Sequence, residues 1–431
     1  MDLYDLFLQH PVVTTDSRSC PEGSIFFALK GDNFNANAFA ADALSKGCSY
    51  AVIDDESYAT DQRFIVVPDV LTTLQELATR HRSSMPAKII GITGSNGKTT
   101  TKELIAAVLK ERYEVLYTQG NLNNHIGVPL TLLQLRPHHQ LAIIEMGANH
   151  PGEIKLLSSI ARPDFGIITN VGKAHLEGFG SLEGVKRTKA ELYQFIADKG
   201  LAVFIHQGNP HLMEMAETAG IEEDKRIYYL LGTTDDPASV YGEVISNNPL
   251  LKMSCNTGEE FEVQTQLIGS YNAENVLAAV TIGQFFGLTN DEIRRGLEAY
   301  SPSNNRSQLT ITAHNRLVVD AYNANPSSMQ AAIQNFALLD DSAGVLILGD
   351  MLELGNDSPT EHQAILQLLE NKGFTQVYLV GNEFKSCKTD FLRFANVTEL
   401  QEHITAHPLR NCLILIKGSR GIQLEKIIPF V

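Results

Sequence analysis

Between Lys88 and Leu109 the chain reads KIIGITGSNGKTTTKELIAAVL. Within it, Gly94, Ser95, Asn96, Gly97, Lys98, Thr99 and Thr100 make a set suited to phosphate. Glycines let the backbone bend tightly and turn its N–H groups toward an anion, Lys98 adds a mobile cation, and the Thr99 hydroxyl is a hard ligand for Mg²⁺. The commoner spacing, G-x-x-x-x-G-K-S/T, would put glycine at position 92, where Ile92 stands; the usable core here is the shorter T-G-S-N-G-K-T. Glu145 ends the apolar run LAIIE and offers a second hard oxygen ligand. His175 follows the run FGIITN, with Asn170 beside it. Lys189, in KRTKAEL, reads by residue type and spacing as an ordinary solvated helix lysine.

Elements must hold these side chains together. Lys88 to Thr93 reads as a strand, and Leu104, Ile105, Val108 and Leu109 recur at helical spacing, so the loop joins a strand to a helix whose amino end faces the anion. Further apolar runs at Leu141 to Glu145, Phe165 to Asn170 and Leu201 to Ile205 alternate with helical patterns. Such alternation predicts a mostly parallel sheet covered on both faces, with its ligand outside the carboxyl ends of the strands. The loop, Glu145 and the Asn170 to His175 turn all follow strand ends and are expected to converge. Residues 226 to 268, with turns at Asn247-Asn248-Pro249 and Asn256-Thr257-Gly258, read as a small antiparallel patch.

Before this segment, short strands (Ser24 to Leu29, Tyr50 to Ile53, Phe64 to Val67) and helices (Ala38 to Leu44, Leu71 to His81) suggest a small α/β unit ending in a linker at Ser83-Ser84-Met85-Pro86. Its polar loops are Thr15-Asp16-Ser17-Arg18 and Lys30-Gly31-Asp32-Asn33-Phe34. After it, Leu317 to Asp320, Val345 to Leu348, Gln376 to Val380 and Cys412 to Ile416 suggest a second open α/β sheet. The expected architecture is α/β in three domains, 1–84, 85–302 and 303–431, with the phosphate-loop sheet in the middle.

A chain of 431 residues is too long for one core, and 43% hydrophobic with 19% charged residues describes a globular protein. The net charge of −16 argues against a general nucleic-acid binder, which needs a basic face. No apolar window is long enough to span a membrane, and the opening MDLYDLFLQH carries acids where a signal peptide carries basic residues. The five cysteines are dispersed without a C-x-x-C pair, which suits reduced thiols in a cytoplasm.

Taken together, the loop, Glu145, His175 and Lys189 give a chain that resembles the Mur ligase family, ATP-dependent amino-acid and peptide ligases of cell-wall precursor synthesis. The resemblance runs over nearly the whole length, through Gly120-Asn121-Leu122-Asn123-Asn124-His125, Glu145-Met146-Gly147-Ala148, His175-Leu176-Glu177-Gly178-Phe179-Gly180-Ser181, Tyr322-Asn323-Ala324-Asn325-Pro326, Gly349-Asp350-Met351-Leu352-Glu353-Leu354-Gly355 and Lys417-Gly418-Ser419-Arg420. The Y-N-A-N-P and G-D-M-L-E-L-G stretches, with no D-N-P-R signature, point to the activity that joins D-alanyl-D-alanine to a UDP-N-acetylmuramoyl-tripeptide. A diaminopimelate- or lysine-adding sibling and a folylpolyglutamate-type ligase are the alternatives, and a catalytically silent nucleotide binder is the reading from another class.

The resemblance implies roles. Lys98 and the loop would hold the β- and γ-phosphates of ATP, Thr99 and Glu145 a first Mg²⁺, and His175 a second. Lys189 matches the lysine that takes up CO₂ as a carbamate, giving a metal-side oxygen ligand. Asn272 and Asn275 match positions facing the adenine, Arg306 the arginine that reaches the phosphates, and Asp320 the acid near the ribose. Asp16, Ser17 and Arg18 match the loop for the uridine nucleotide. Asn121, Asn123 and Asn124 match the muramoyl-peptide path, and Tyr322, Asn323 and Asn325 are further substrate-side candidates. The chain departs from the family at Asn305 (glycine), at Tyr271 (histidine) and at Phe34 to Asn37, where relatives carry D-G-H. A monomer in the cytoplasm, without nucleic-acid or membrane partners, is the implied setting.

Overall fold

The computed structural model describes residues 2–431 except 32, 235–238, 303–305 and 340–343. Asp32, Asn305 and the proposed boundary at Ser303 therefore lie outside the described residues.

Three main sheets follow one another along the chain. In the first, Val13–Thr14, Ile25–Phe27, Tyr50–Ile53 and Phe64–Val66 pair in parallel. The helix Val70–Ser84, N-capped by Asp69, closes this unit. It includes Ser83 and Ser84, so the expected linker shrinks to the few residues before the strand at Lys88. The first unit owns its sheet but not its whole core. Phe7, Leu74 and Leu77 belong to one buried cluster with Val128, Leu132 and Ile160 of the middle segment.

The middle sheet has nine strands. Reading across it, Val115–Tyr117, Leu141–Glu145, Lys88–Thr93, Phe165–Ile168, Ala202–His206, Arg226–Leu231 and Val240–Ser246 are parallel, and Leu250–Asn256 and Glu260–Ile268 complete it antiparallel. The expected antiparallel patch at 226–268 is thus corrected in part: its first two strands are parallel, only the last two are antiparallel, and all four extend the same sheet. Their one-sided pattern has a physical source. Leu251, Met253, Cys255, Phe261 and Val263 alternate inward toward the helix Ala273–Phe285, while the other face stays open. The interior strands are buried on both faces. On one face lie the helices Lys98–Leu109 and Ala273–Phe285, on the other Glu153–Ala161 and Leu182–Lys199.

The loop strand Lys88–Thr93 sits between Leu141–Glu145 on one side and Phe165–Ile168 on the other. Successive connections leave it in opposite directions, which opens a crevice at the carboxyl ends, the usual ligand position in such sheets. The third sheet runs Gln308–Ile311, Arg316–Asp320, Leu413–Lys417, Gly344–Gly349, Val377–Val380 and Leu392–Phe394, with only the first pair antiparallel. Its carboxyl ends face the crevice of the middle sheet. No helix among the described residues is long and apolar enough to cross a membrane.

Candidate active site

Gly94 and Gly97 take φ of +146° and +77°, where side chains are strained. Space forbids a side chain as well: a Cβ on Gly94 would meet Thr169 Oγ1 at 2.0 Å, and one on Gly97 would meet Asn275 Oδ1 at 2.6 Å. Two loop amides are already tied, Ser95 N–H to the Asn170 carbonyl (3.0 Å) and Asn96 N–H to Asn170 Oδ1 (2.9 Å). The N–H groups that open the helix Lys98–Leu109 have no carbonyl four residues back within it, so they point a positive helix end into the crevice.

A cleft of about 740 Å³ lies between the middle and third sheets. It is lined by Ser95, Asn96, Gly97, Lys98, Thr99, Thr100, Asn121, Asn123, Asn124, Glu145, His175, Asn272, Asn275, Arg306, Asp320, Tyr322, Asn323 and Asn325. Sites expected from seven separate stretches of sequence therefore share one cavity. Gly94 lies beneath the loop and Lys189 behind the wall. Asp16, Ser17 and Arg18 are not brought to this cleft; Arg18 forks onto Asp16 at 2.8 and 2.9 Å and holds its carboxyl down at about 2.

The floor is built for cation and phosphate together. Thr99 Oγ1 stands 3.2 and 3.0 Å from the two oxygens of Glu145, which is buried at the end of its strand. Asn123 Nδ2 donates to Glu145 Oε1 at 2.9 Å. A hydroxyl and a carboxylate in contact are hard oxygen donors that suit Mg²⁺, which takes one or two protein oxygens alongside phosphates and water. Lys98 Nζ donates to the carbonyls of Gly94 (2.7 Å) and Ser95 (3.3 Å). Burial pulls its pKa down, opposed by Glu145 and reinforced by the positive Arg306. Arg306 stacks over the Tyr322 ring at 3.7 Å, and its buried Nε has no hydrogen-bond partner among the described residues. A guanidinium with a free Nε beside a glycine loop suits an anion such as phosphate.

Lys189 lies in the helix Leu182–Lys199, 2% exposed, with Nζ 5.6 Å from the Phe179 ring. Burial first, and the charge on Lys98 second, push its pKa well below that of a free lysine. Periodicity held this signal: Val185, Lys189, Leu192 and Ile196 form one inward stripe, so the lysine occupies a core position.

Several expected contacts are already engaged. Asn275 Oδ1 accepts from Thr101 Oγ1 (2.9 Å) and its Nδ2 donates to Asn272 Oδ1 (2.9 Å), tying the helix Ala273–Phe285 to the loop helix. Asn124 caps the helix Gly127–Leu132, and Asn325 caps Pro326–Phe336 while its Nδ2 donates to Asn96 Oδ1 at 2.8 Å. Asn323 Oδ1 accepts from the Ala324 N–H (2.9 Å). Asp320 pairs with Lys417 at 2.5 Å. Tyr271, in place of the family histidine, bonds Ser307 Oγ through its hydroxyl at 3.0 Å. Sequence reasoning gave no individual role to Glu353, whose Oε2 lies 2.5 Å from His175 Nδ1, or to the fully buried Lys102.

A strand–glycine loop–helix floor, an opposing arginine and a second α/β lobe over the cleft define a nucleotide-binding protein of the three-lobed ligase class. Residues 92–283 match the family model described as Mur ligase middle domain, and residues 305–420 the one described as Mur ligase, glutamate ligase domain. The chain belongs to the Mur ligase family. Among its relatives, a UDP-N-acetylmuramoyl-tripeptide–D-alanyl-D-alanine ligase of Bacillus subtilis is 34% identical over 96% of this chain and 92% of the relative. The enzyme of the same name from Escherichia coli is 35% identical over the same shares. A crystal structure of MurF from Acinetobacter baumannii superposes with a TM-score of 0.85 at 32% identity, covering 97% of this chain and 92% of that one.

Proposed function

We propose that this protein joins D-alanyl-D-alanine to a UDP-N-acetylmuramoyl-tripeptide, consuming ATP and releasing ADP and phosphate, in the building of peptidoglycan precursors. The observation that carries the reading is the cleft itself: Lys98, Arg306 and the helix amino end on one anion position, with Thr99 and Glu145 beside it. The relatives at 34% and 35% identity, matched over nearly their full length, supply the substrate pair.

The chain's residues divide the work. The amides that open the helix at Lys98, the Lys98 side chain and Arg306 hold the phosphates and gather the charge that builds up as phosphoryl transfer proceeds. Thr99 and Glu145 would hold one Mg²⁺, and His175 with Lys189 as a carbamate a second, which would supply further neutralisation. The tripeptide's terminal carboxylate oxygen attacks the γ-phosphorus of ATP, its bond to ADP breaks, and an acyl phosphate forms. The dipeptide amine then attacks the acyl carbon, loses a proton, and expels phosphate. Asn325 on Asn96 and Arg306 on Tyr322 bring third-lobe groups to the loop, so the step is organised by positioning.

In this reading residues 1–84, with Asp16, Ser17 and Arg18, receive the uridine nucleotide, 85–302 hold ATP, and 303–431 present the dipeptide. The enzyme works as a cytoplasmic monomer. An acceptor screen tests it. ADP release with a UDP-muramoyl-tripeptide should require D-alanyl-D-alanine and fail with glutamate or single amino acids. Release driven equally by diaminopimelate or glutamate would reassign the substrate, and ATP binding without any acceptor-dependent release would leave a silent binder.

A further inference from the structure

Lys102 is fully buried, at the fourth position after Lys98 in the loop helix. Its Nζ makes no hydrogen bond among the described residues, yet stands 3.5 Å from Glu145 Oε2 and 3.8 Å from Glu103 Oε1. The Tyr117 ring lies 5.8 Å away, and Glu103 is itself engaged, accepting from the Tyr300 hydroxyl at 2.7 Å. On the helix, Lys102 shares its inward stripe with Ile105 and Leu109, where an apolar residue would satisfy packing alone. An ammonium in such a place is costly unless its charge has a partner.

We propose that Lys102 is a positioning residue for the reaction: an internal cation that holds the Glu145 carboxylate against the cleft wall from behind. Thr99 and Asn123 fix that carboxylate from the front and side, and Lys102 completes the cradle where no solvent reaches. The magnesium position is thereby formed before nucleotide arrives. Removing the charge takes away the cation nearest the buried side of the carboxylate, leaving it free to turn away from Thr99.

The inference rests on Glu145 serving the metal, and calorimetry of ADP binding with Mg²⁺ and with EDTA separates the two. If the phosphate-loop reading is wrong, the wild-type protein gains nothing from Mg²⁺. If it is right, Lys102→Met should bind ADP in EDTA as the wild type does but lose at least tenfold in its presence. Lys102→Gln serves as the second variant where the methionine form does not fold. In a double-mutant cycle, Lys102→Met should add little to the magnesium defect of Glu145→Gln, and the double variant should melt higher than Glu145→Gln alone. An unchanged magnesium effect in folded Lys102→Met would overturn the proposal. So would equal losses with and without Mg²⁺, the signature of a merely loosened helix.

Discussion

Glu353, carried by the third lobe, places Oε2 2.5 Å from Nδ1 of His175 in the middle lobe. Glu353 has a φ of +66° and His175 one of +50°, so both ends of the contact sit in left-handed backbone that non-glycine residues seldom adopt. Such a cost is sustained where the surroundings fix it, and here the Glu177 N–H donates to the Glu353 carbonyl (3.3 Å) while Lys173 pairs with Glu361 (2.6 Å). The carboxylate lies against the ring, and both residues line the cleft. The histidine in turn keeps the Glu353 pKa below its ordinary value.

Glu353→Gln should lower kcat roughly 10- to 100-fold, the usual effect of removing a carboxylate that orients a metal-side histidine. ADP binding without acceptor should be little changed. Steady-state kinetics across a magnesium titration check this.

Arg306→Lys should lose the planar fork and its stacking on Tyr322. Catalysis should fall by about 10²–10³, the range for one lost donor to developing charge. Single-turnover ADP release measures the step, and activity near that of the wild type would remove Arg306 from it.

Gly97→Ala combines a φ of +77° with a methyl 2.6 Å from Asn275 Oδ1. The conformational cost alone is about 1–2 kcal/mol. Melting temperature should drop and nucleotide binding should be lost, whereas Gly120→Ala, with open space around its Cβ, should retain binding.

Lys189→Met should abolish turnover yet stabilise the fold. The folded pKa lies well below the free value, so the unfolded chain binds more protons across the interval between them. Stability therefore rises with pH over that window, and an apolar replacement should be stabilising below it. Urea melts should show the gain shrinking as pH climbs toward 10. Bicarbonate should raise the activity of the wild type and leave the variant silent.

The sequence made the loop, Glu145 and the Asn170–His175 turn legible because each follows a buried strand, and parallel sheets gather such ends. It was less informative where helices hide polar groups. Lys102 and Lys189 look solvated as residue types, and only their places in the stripes Lys102–Ile105–Leu109 and Val185–Lys189–Leu192–Ile196 betray them. The stretch 226–268 was read as an antiparallel patch, but its first two strands pair in parallel, because short alternating runs and turns do not report pairing direction or which sheet a strand joins. The Glu353–His175 contact joins two lobes far apart in sequence, and no local signal encodes it.

Phe7, Leu74 and Leu77 finish the same apolar cluster as Val128 and Ile160, while Leu176 and Ile268 are the buried middle-lobe side chains in the third lobe's large cluster. The amino-terminal part is thus welded in place and cannot act as a flap. The carboxy-terminal lobe is held at the rim by contacts such as Asn96–Asn325 and Lys173–Glu361. A chain cut before Lys88 would bare a sticky face, whereas one cut near residue 300 would lose Arg306 and one wall of the cleft.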